Sequence, residues 1–221
     1  MISLLRKYQN LNSWKLYLLN MIIYSIMIFI QYRFVQTDQY YEQYMKPLFY
    51  SQVDYAEAVT ESRFFEIYNY LWIPVHVGAM ILLPAIFLFI GLNIFNYAIN
   101  IRKSILITAQ SVIVFSLNSL IVTSLKACGV IAYNSNSIDD DYFFQSLGRL
   151  FISFEFPDLI YSLLEKINIV EISFCILLSF MATKVLAIKF KQSIFLVSCL
   201  YIFGTTIYIC FTEFIDILFT N

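Results

Sequence analysis

Five long apolar runs constrain this chain more than any other feature of its sequence. They cover residues 16–34, 71–95, 105–125, 167–188 and 194–219, and each is about 19 to 26 residues long. As α-helices, runs of this length can cross the roughly 30 Å hydrocarbon core of a bilayer. Spanning β-strands would be about 10 residues long and would alternate apolar with polar side chains, which these runs do not do. The sequence therefore predicts an all-α, polytopic transmembrane helical bundle with five spans.

The bulk composition agrees with this prediction and argues against nucleic acid as a partner. Of the 221 residues, 60% are hydrophobic and 13% are charged, the latter roughly half the share of a soluble domain. A soluble fold of this size could not bury so much apolar surface. The net charge of −1 provides no basic field for nucleic acid. We expect one integral membrane domain over residues 1–221, in contact with membrane lipids and with other membrane proteins or a second copy of itself.

Charged residues predict the orientation of the spans. If the N-terminus lies in the cytoplasm, all 15 Asp and Glu residues fall on the outer side, and 8 of the 14 basic residues fall on the inner side. The inner connections are short, so their density of basic residues is higher, as the positive-inside rule requires. The sequence thus predicts an inner N-terminus, an outer C-terminus and two longer outer loops, residues 35–70 and 133–166.

The second outer loop contains a further helical pattern. Its apolar residues recur at intervals of i, i+4, i+7, i+8 and i+11, which is typical of a helix with one apolar face. We expect an amphipathic helix that lies in the outer membrane interface. The residues of this face are Phe143, Leu147, Leu150, Phe151 and Phe154.

The third run carries a stripe of small polar residues along about half of its helical circumference. Two interpretations remain open: a polar path for a solute or ion, or a face whose hydroxyls and amide pack against neighbouring helices. The absence of a charged residue from the stripe favours packing. Gln110 and Ser124 fall outside the stripe. Its members are Ser104, Thr108, Ser111, Ser116, Asn118, Ser119 and Thr123, of which Thr108, Ser111, Asn118, Ser119 and Thr123 are the candidate site residues.

His76, the single histidine, is a possible intramembrane polar site. Ionisable residues within spans often have a functional role, although a hydrogen-bonding histidine near the membrane interface is the simpler interpretation.

The four cysteines are expected to be small buried apolar residues. The acidic triplet at residues 139–141 is expected to be a solvated turn. No nucleophile elbow, phosphate-binding loop or zinc-binding histidine pattern occurs, so we expect no enzyme activity, catalytic residue, cofactor or metal site.

The chain resembles the Yip1 family of small five-span membrane proteins over about residues 71–219. The resemblance is one of pattern and lies in LLPAIFLFIGLNIFNYAI for the second span and INIRKSILITAQSVIVFSLNSLI for the third. The final hairpin, IVEISFCILLSFMATKVLAIKFKQSIFLVSCLYIFGTTIYI, is similar to the last two spans of the family. This resemblance implies a non-enzymatic role in membrane organisation or trafficking, or as an accessory subunit.

The alternative function is a small transporter or permease subunit that conducts through the third span. Whether the stripe faces water or protein distinguishes the two. The abundance of Ile, Asn, Lys, Tyr and Phe suggests an AT-rich genome. We expect a bacterial cytoplasmic (inner) membrane.

Overall fold

The computed structural model describes residues 11–48, 51–133, 145–147, 160, 164 and 167–220. The first helix, α1, covers Ser13–Ile30 and continues as a π-helical turn, Gln31–Val35; short helical turns follow up to Leu48. Helix α2 covers Gln52–Ile94. Helices α3, Ile101–Ser111, and α4, Ile113–Ala127, follow one another almost without a break. The chain then forms α5, Ile169–Leu186, and α6, Phe190–Thr220.

Five helical stretches in the described part of the chain are long enough and apolar enough to cross a membrane. This confirms the five predicted apolar helices and the all-α class for the described residues. The first, second, third and fifth stretches begin before the predicted runs, and the fourth is slightly shorter. The stretches are Ser13–Val35, Gln52–Ile94, Ile101–Ala127, Ile169–Leu186 and Phe190–Thr212.

Helix α2 begins well before the second predicted span. Residues 52–70, assigned from the sequence to the outer loop 35–70, are a continuous part of this helix. They contain neither Gly nor Pro, so nothing in them interrupts the helical hydrogen bonds. With 43 residues the helix is about 65 Å long at about 1.5 Å per residue. This is about twice the thickness of the hydrocarbon core, so much of α2 extends beyond it.

The predicted interfacial helix lies largely outside the described residues, as does the acidic triplet at 139–141. Of its apolar face only Leu147 is described. The backbone of the neighbouring Ser146 forms an isolated antiparallel bridge with Asn168, and the Leu147 N–H donates to the Ile167 carbonyl at 2.9 Å. The interfacial helix therefore stays a prediction.

Asparagines define the start of two helices. The Asn100 side chain accepts a hydrogen bond from the Lys103 N–H at 2.8 Å, and the Asn168 side chain accepts one from the Glu171 N–H at 2.8 Å. Each bond satisfies a donor that the first turn of a helix otherwise leaves without a partner. At the other end of α5, Ala187 adopts the left-handed conformation, with φ of 54°, so the chain turns there towards α6.

The contacts of the chain divide it into two compact units, and the prediction of one membrane domain over residues 1–221 stays a prediction. Unit A comprises residues 11–16, 79–115 and the described residues from 145 onward. Unit B comprises residues 17–78 and 116–133. The division falls within α2, after Gly78, and within the third spanning stretch, after Phe115.

Unit A is packed through aromatic rings and through a side chain of α6 that lies against a glycine of α2. Phe174 is fully buried, and its ring centroid lies 4.9 Å from that of Phe115 and 5.4 Å from that of Tyr201. At Gly91 of α2, an added Cβ would clash with the terminal carbons of Leu200 on α6. The Leu200 side chain can pack against the backbone of α2 here because Gly91 has no side chain; small residues are common at contacts between membrane helices.

Unit B contains a small tyrosine-rich core next to the end of α1. Val35, Tyr40 and Tyr41 are buried, and the Tyr40 ring centroid lies 6.0 Å from that of Tyr133. The Tyr133 hydroxyl donates to the Val35 carbonyl at 3.2 Å. Burial raises the pKa of Tyr133, and the charge of a Tyr44 phenolate would raise it further. This core ties the segment after α1 to the segment after α4.

Candidate functional site

The polar stripe of the third spanning stretch is mostly buried. Four of the five candidate residues, Thr108, Ser111, Ser119 and Thr123, are at most 3% exposed, and Asn118 is half-buried. Half of the most apolar segment of this stretch is buried inside the protein, a larger share than in the other four spanning stretches. The stripe is therefore covered by protein over most of its length.

Gln110 is also buried, although the helical-wheel argument placed it outside the stripe. The reason is that the wheel assigns one buried face to a helix, whereas here more than one face of α3 is covered. Ser124, the other residue placed outside the stripe, is half-buried. Its hydroxyl donates to the Leu120 carbonyl of its own helix at 2.7 Å.

The half of the stripe in unit A makes its hydrogen bonds within its own helix. The Ser111 hydroxyl donates to the Ile107 carbonyl at 2.9 Å. The Thr108 hydroxyl is buried and has no hydrogen-bond partner among the described residues. Helix α3 packs against α5, where small side chains allow close approach. This half thus works as a packing surface and makes few side-chain hydrogen bonds to other helices.

The half of the stripe in unit B bonds to another helix. The Ser116 hydroxyl donates to Oδ1 of Asn20, on α1, at 2.5 Å, and both side chains are fully buried. Asn20 is a residue that the sequence analysis missed. The signal that could have found it is an asparagine within an otherwise apolar spanning run, since a buried amide requires partners.

His76 lies on α2, in unit B. Its ring makes an edge-to-face contact with Tyr24 of α1, with ring centroids 5.1 Å apart. Two residues earlier on α2, the Pro74 carbonyl accepts a hydrogen bond from the Tyr17 hydroxyl at 2.9 Å. Among the described residues, His, Cys, Asp and Glu do not form a group of three that could hold a metal ion. The surroundings of His76 thus suit contact between α1 and α2.

Apolar side chains, in contrast, occupy the exposed faces of the same helices. On the third stretch, Leu117 is 44% and Ile121 is 56% exposed, and Trp72, Phe195 and Phe203 are 60% or more exposed on α2 and α6.

Three of the four cysteines, Cys128, Cys199 and Cys210, are exposed as well. The prediction that the cysteines are buried is therefore wrong for these three.

No family model, curated protein or solved structure matches this chain. The resemblance to the Yip1 family therefore stays a prediction. What the fold defines is a class: an all-helical chain, over its described residues, with five helices able to cross a membrane.

Proposed function

We propose that this protein is a five-span integral membrane protein without enzyme activity, which acts through contacts of its helices with other helices and with lipid. The observation that carries the proposal is the distribution of side chains on the third spanning stretch. Its small polar residues are buried, and large apolar residues such as Leu117 and Ile121 are exposed. In water this arrangement would be unfavourable, because exposed apolar area costs about 25 cal/mol per Å². In lipid it is the expected arrangement of a packed helix.

The burial of the stripe supports a packing role over a conducting role. Thr108 and Ser111 have no exposed surface, so water does not contact either side chain. A hydrated path would leave such residues accessible. Exposed apolar faces on the other spanning helices leave room for a partner helix or a second copy of the chain. A role as an accessory or organising subunit, as the Yip1 resemblance implies, fits this surface.

Accessibility of introduced thiols tests the packing role. In a background with the four native cysteines replaced by alanine, Thr108→Cys and Ser111→Cys should resist an impermeant thiol reagent applied from either side of the membrane. Glu57→Cys and Lys103→Cys, both at exposed positions, serve as matched controls that should react. Modification of Ser111→Cys would overturn the packing role and favour a transporter with a polar path.

We further propose that the N-terminus faces the cytoplasm and the C-terminus the opposite side, in a bacterial cytoplasmic membrane. The segregation of the 15 acidic residues to one side supports this orientation. Reporter fusions after Lys103 and after Lys191 should give cytoplasmic signals, and a fusion after Asn221 an external signal. A cytoplasmic signal from the last fusion would contradict the orientation.

A further inference from the structure

An open cleft lies where the chain passes from α5 to α6. Its volume is about 520 Å³, and its lining consists of Phe180, Thr183, Lys184, Ile188 and Phe190. The hydroxyl of Ser193 donates to the Ser179 carbonyl at 2.8 Å. This bond joins α6 to α5 beside the cleft and holds the hairpin in shape. Both serines are fully buried. The cleft therefore lies beside a tightly packed part of the α5–α6 hairpin.

The charge of the cleft has one sign. Lys184 lies in its wall, and Lys189 and Lys191 follow in the turn and in the first turn of α6; all three side chains are exposed. The sequence contains no acidic residue between Glu171 and Glu213. The Lys184 ammonium lies 4.6 Å from the centroid of the Phe180 ring, a cation–π distance, which keeps the charge at the cleft. An anion is therefore the complementary ligand.

The other walls of the cleft are apolar. Phe180 and Phe190 are both about half exposed, and Ile188 lies between them in the chain. Helix α5 has 18 residues, about 27 Å at about 1.5 Å per residue, so its last turn reaches the boundary between hydrocarbon and headgroups. Lipid phosphates lie just outside this boundary, separated from the first methylene groups of the acyl chains by the glycerol and ester groups. A ligand with a phosphate and an acyl chain matches both parts of the lining.

We propose that this cleft binds an anionic phospholipid, with the headgroup phosphate at Lys184, Lys189 and Lys191 and the upper part of an acyl chain against Phe180 and Phe190. The proposal rests on the membrane-spanning arrangement proposed above but not on its direction. Basic clefts between spanning helices are known to take anionic headgroups, and a lysine near the membrane surface contributes about 1 kcal/mol. This corresponds to about a fivefold effect on lipid binding for each lysine.

The test is lipid binding to the purified full chain in neutral detergent, measured as bound lipid by native mass spectrometry. Phosphatidylglycerol and phosphatidylcholine with identical acyl chains are the probes. We expect Lys184→Gln to reduce phosphatidylglycerol binding about fivefold and the triple change at Lys184, Lys189 and Lys191 about one hundredfold. Binding of phosphatidylcholine should not change. Lys103→Gln, at another exposed basic position, is the matched control and should bind as the unchanged protein does.

Three results would overturn the proposal. Equal losses of phosphatidylglycerol binding for Lys184→Gln and Lys103→Gln would show that lysine charges attract the lipid without a specific binding site. Equal binding of phosphatidylglycerol and phosphatidylcholine to the unchanged protein would show that the negative charge of the headgroup is not recognised. Competition by glycerol phosphate as strong as by phosphatidylglycerol would identify a free phosphate, rather than a lipid, as the ligand.

A second variant tests the apolar wall. Phe180→Ala should weaken phosphatidylglycerol binding without changing the circular dichroism of the protein, since the Phe180 ring is exposed. Unchanged binding by this variant would contradict the acyl-chain contact. Extraction of the protein from membranes by alkaline carbonate would instead contradict the proposed function, so the two failures can be distinguished.

Discussion

Units A and B stabilise their helices with different contacts. In unit A, α2 approaches α6 at two glycines: Gly91 faces Leu200, and a Cβ at Gly204 would lie 3.2 Å from the Phe87 ring. In unit B, α1 contacts its neighbours through polar groups, such as Asn20 with Ser116 and Tyr17 with the Pro74 carbonyl. These contacts of α2 with α6 in unit A therefore depend on shape, whereas the contacts of α1 in unit B depend on the pairing of specific donors and acceptors.

The difference matters because lipid does not drive helices together by hydrophobic burial. Association there depends on packing and on hydrogen bonds between helices. A packing contact tolerates changes of similar volume, whereas a buried hydrogen bond tolerates loss of one partner poorly. We therefore expect the two units to respond to different substitutions. Three predictions, from the largest effect to the smallest, test this contrast.

The largest effect should come from a methyl group added in unit A. Gly91→Ala places a Cβ against Leu200, and overpacking of this kind costs about 1–3 kcal/mol. Gly78→Ala in the unit B part of the same helix is the matched control, because a Cβ there meets no atom within 4 Å. Both changes gain the same helix propensity, so the difference between their free energies of unfolding isolates the clash. Unfolding by an ionic detergent, followed by circular dichroism, measures it.

An equal stability of the two glycine variants would show that Leu200 moves aside at little cost. The packing of Leu200 against Gly91 would then not be what stabilises unit A.

The second prediction concerns the hydrogen bond in unit B. A double-mutant cycle with Asn20→Leu and Ser116→Ala should give a coupling energy of about 0.6 kcal/mol, and at most about 1.7 kcal/mol, as for other bonds between membrane helices. Asn20→Leu paired with Ser124→Ala is the control cycle, since Ser124 bonds to its own helix. That cycle should give no coupling. Coupling of the same size in both cycles would contradict a specific bond between Asn20 and Ser116.

The smallest effect should appear in the tyrosine-rich core of unit B at high pH. Burial raises the pKa of Tyr133, so the folded state holds this proton more tightly than the unfolded state, whose pKa is about 10. The resulting stability is fully present below about pH 10 and is lost as the pH rises through the folded-state pKa. At neutral pH, Tyr133→Phe should cost at most about 1 kcal/mol, through the lost bond to the Val35 carbonyl.

The stability difference between the unchanged protein and Tyr133→Phe should therefore be constant from pH 7 to pH 9 and should fall above about pH 10. Comparison of the two proteins removes the titration of the other tyrosines. A difference that stays constant up to pH 11 would show that Tyr133 ionises equally in both states.

The sequence predicted the part of the fold that depends on local properties. An apolar run long enough to cross a bilayer forms a helix whatever its neighbours are, because its backbone groups have no other partners in lipid. The polar stripe could be found in the same way, since the positions of Thr108 and Ser111 on one face follow from the helical period alone. The extension of α2 back to Gln52 was not predicted, because charged and aromatic residues there resemble those of a loop although no Gly or Pro breaks the helix.

Only the tertiary structure could decide which polar residues bond and which glycines allow contact. Asn20 and Ser116 are 96 residues apart, and no periodic pattern relates them. Gly78 and Gly91 look alike in the sequence, yet only Gly91 meets a side chain of another helix. Gln110 is buried because neighbouring parts of the chain cover several faces of its helix. The pattern of one helix by itself cannot predict this. Spans follow from the free energy of each segment in lipid, whereas pairing depends on distances between segments that the chain brings together only on folding.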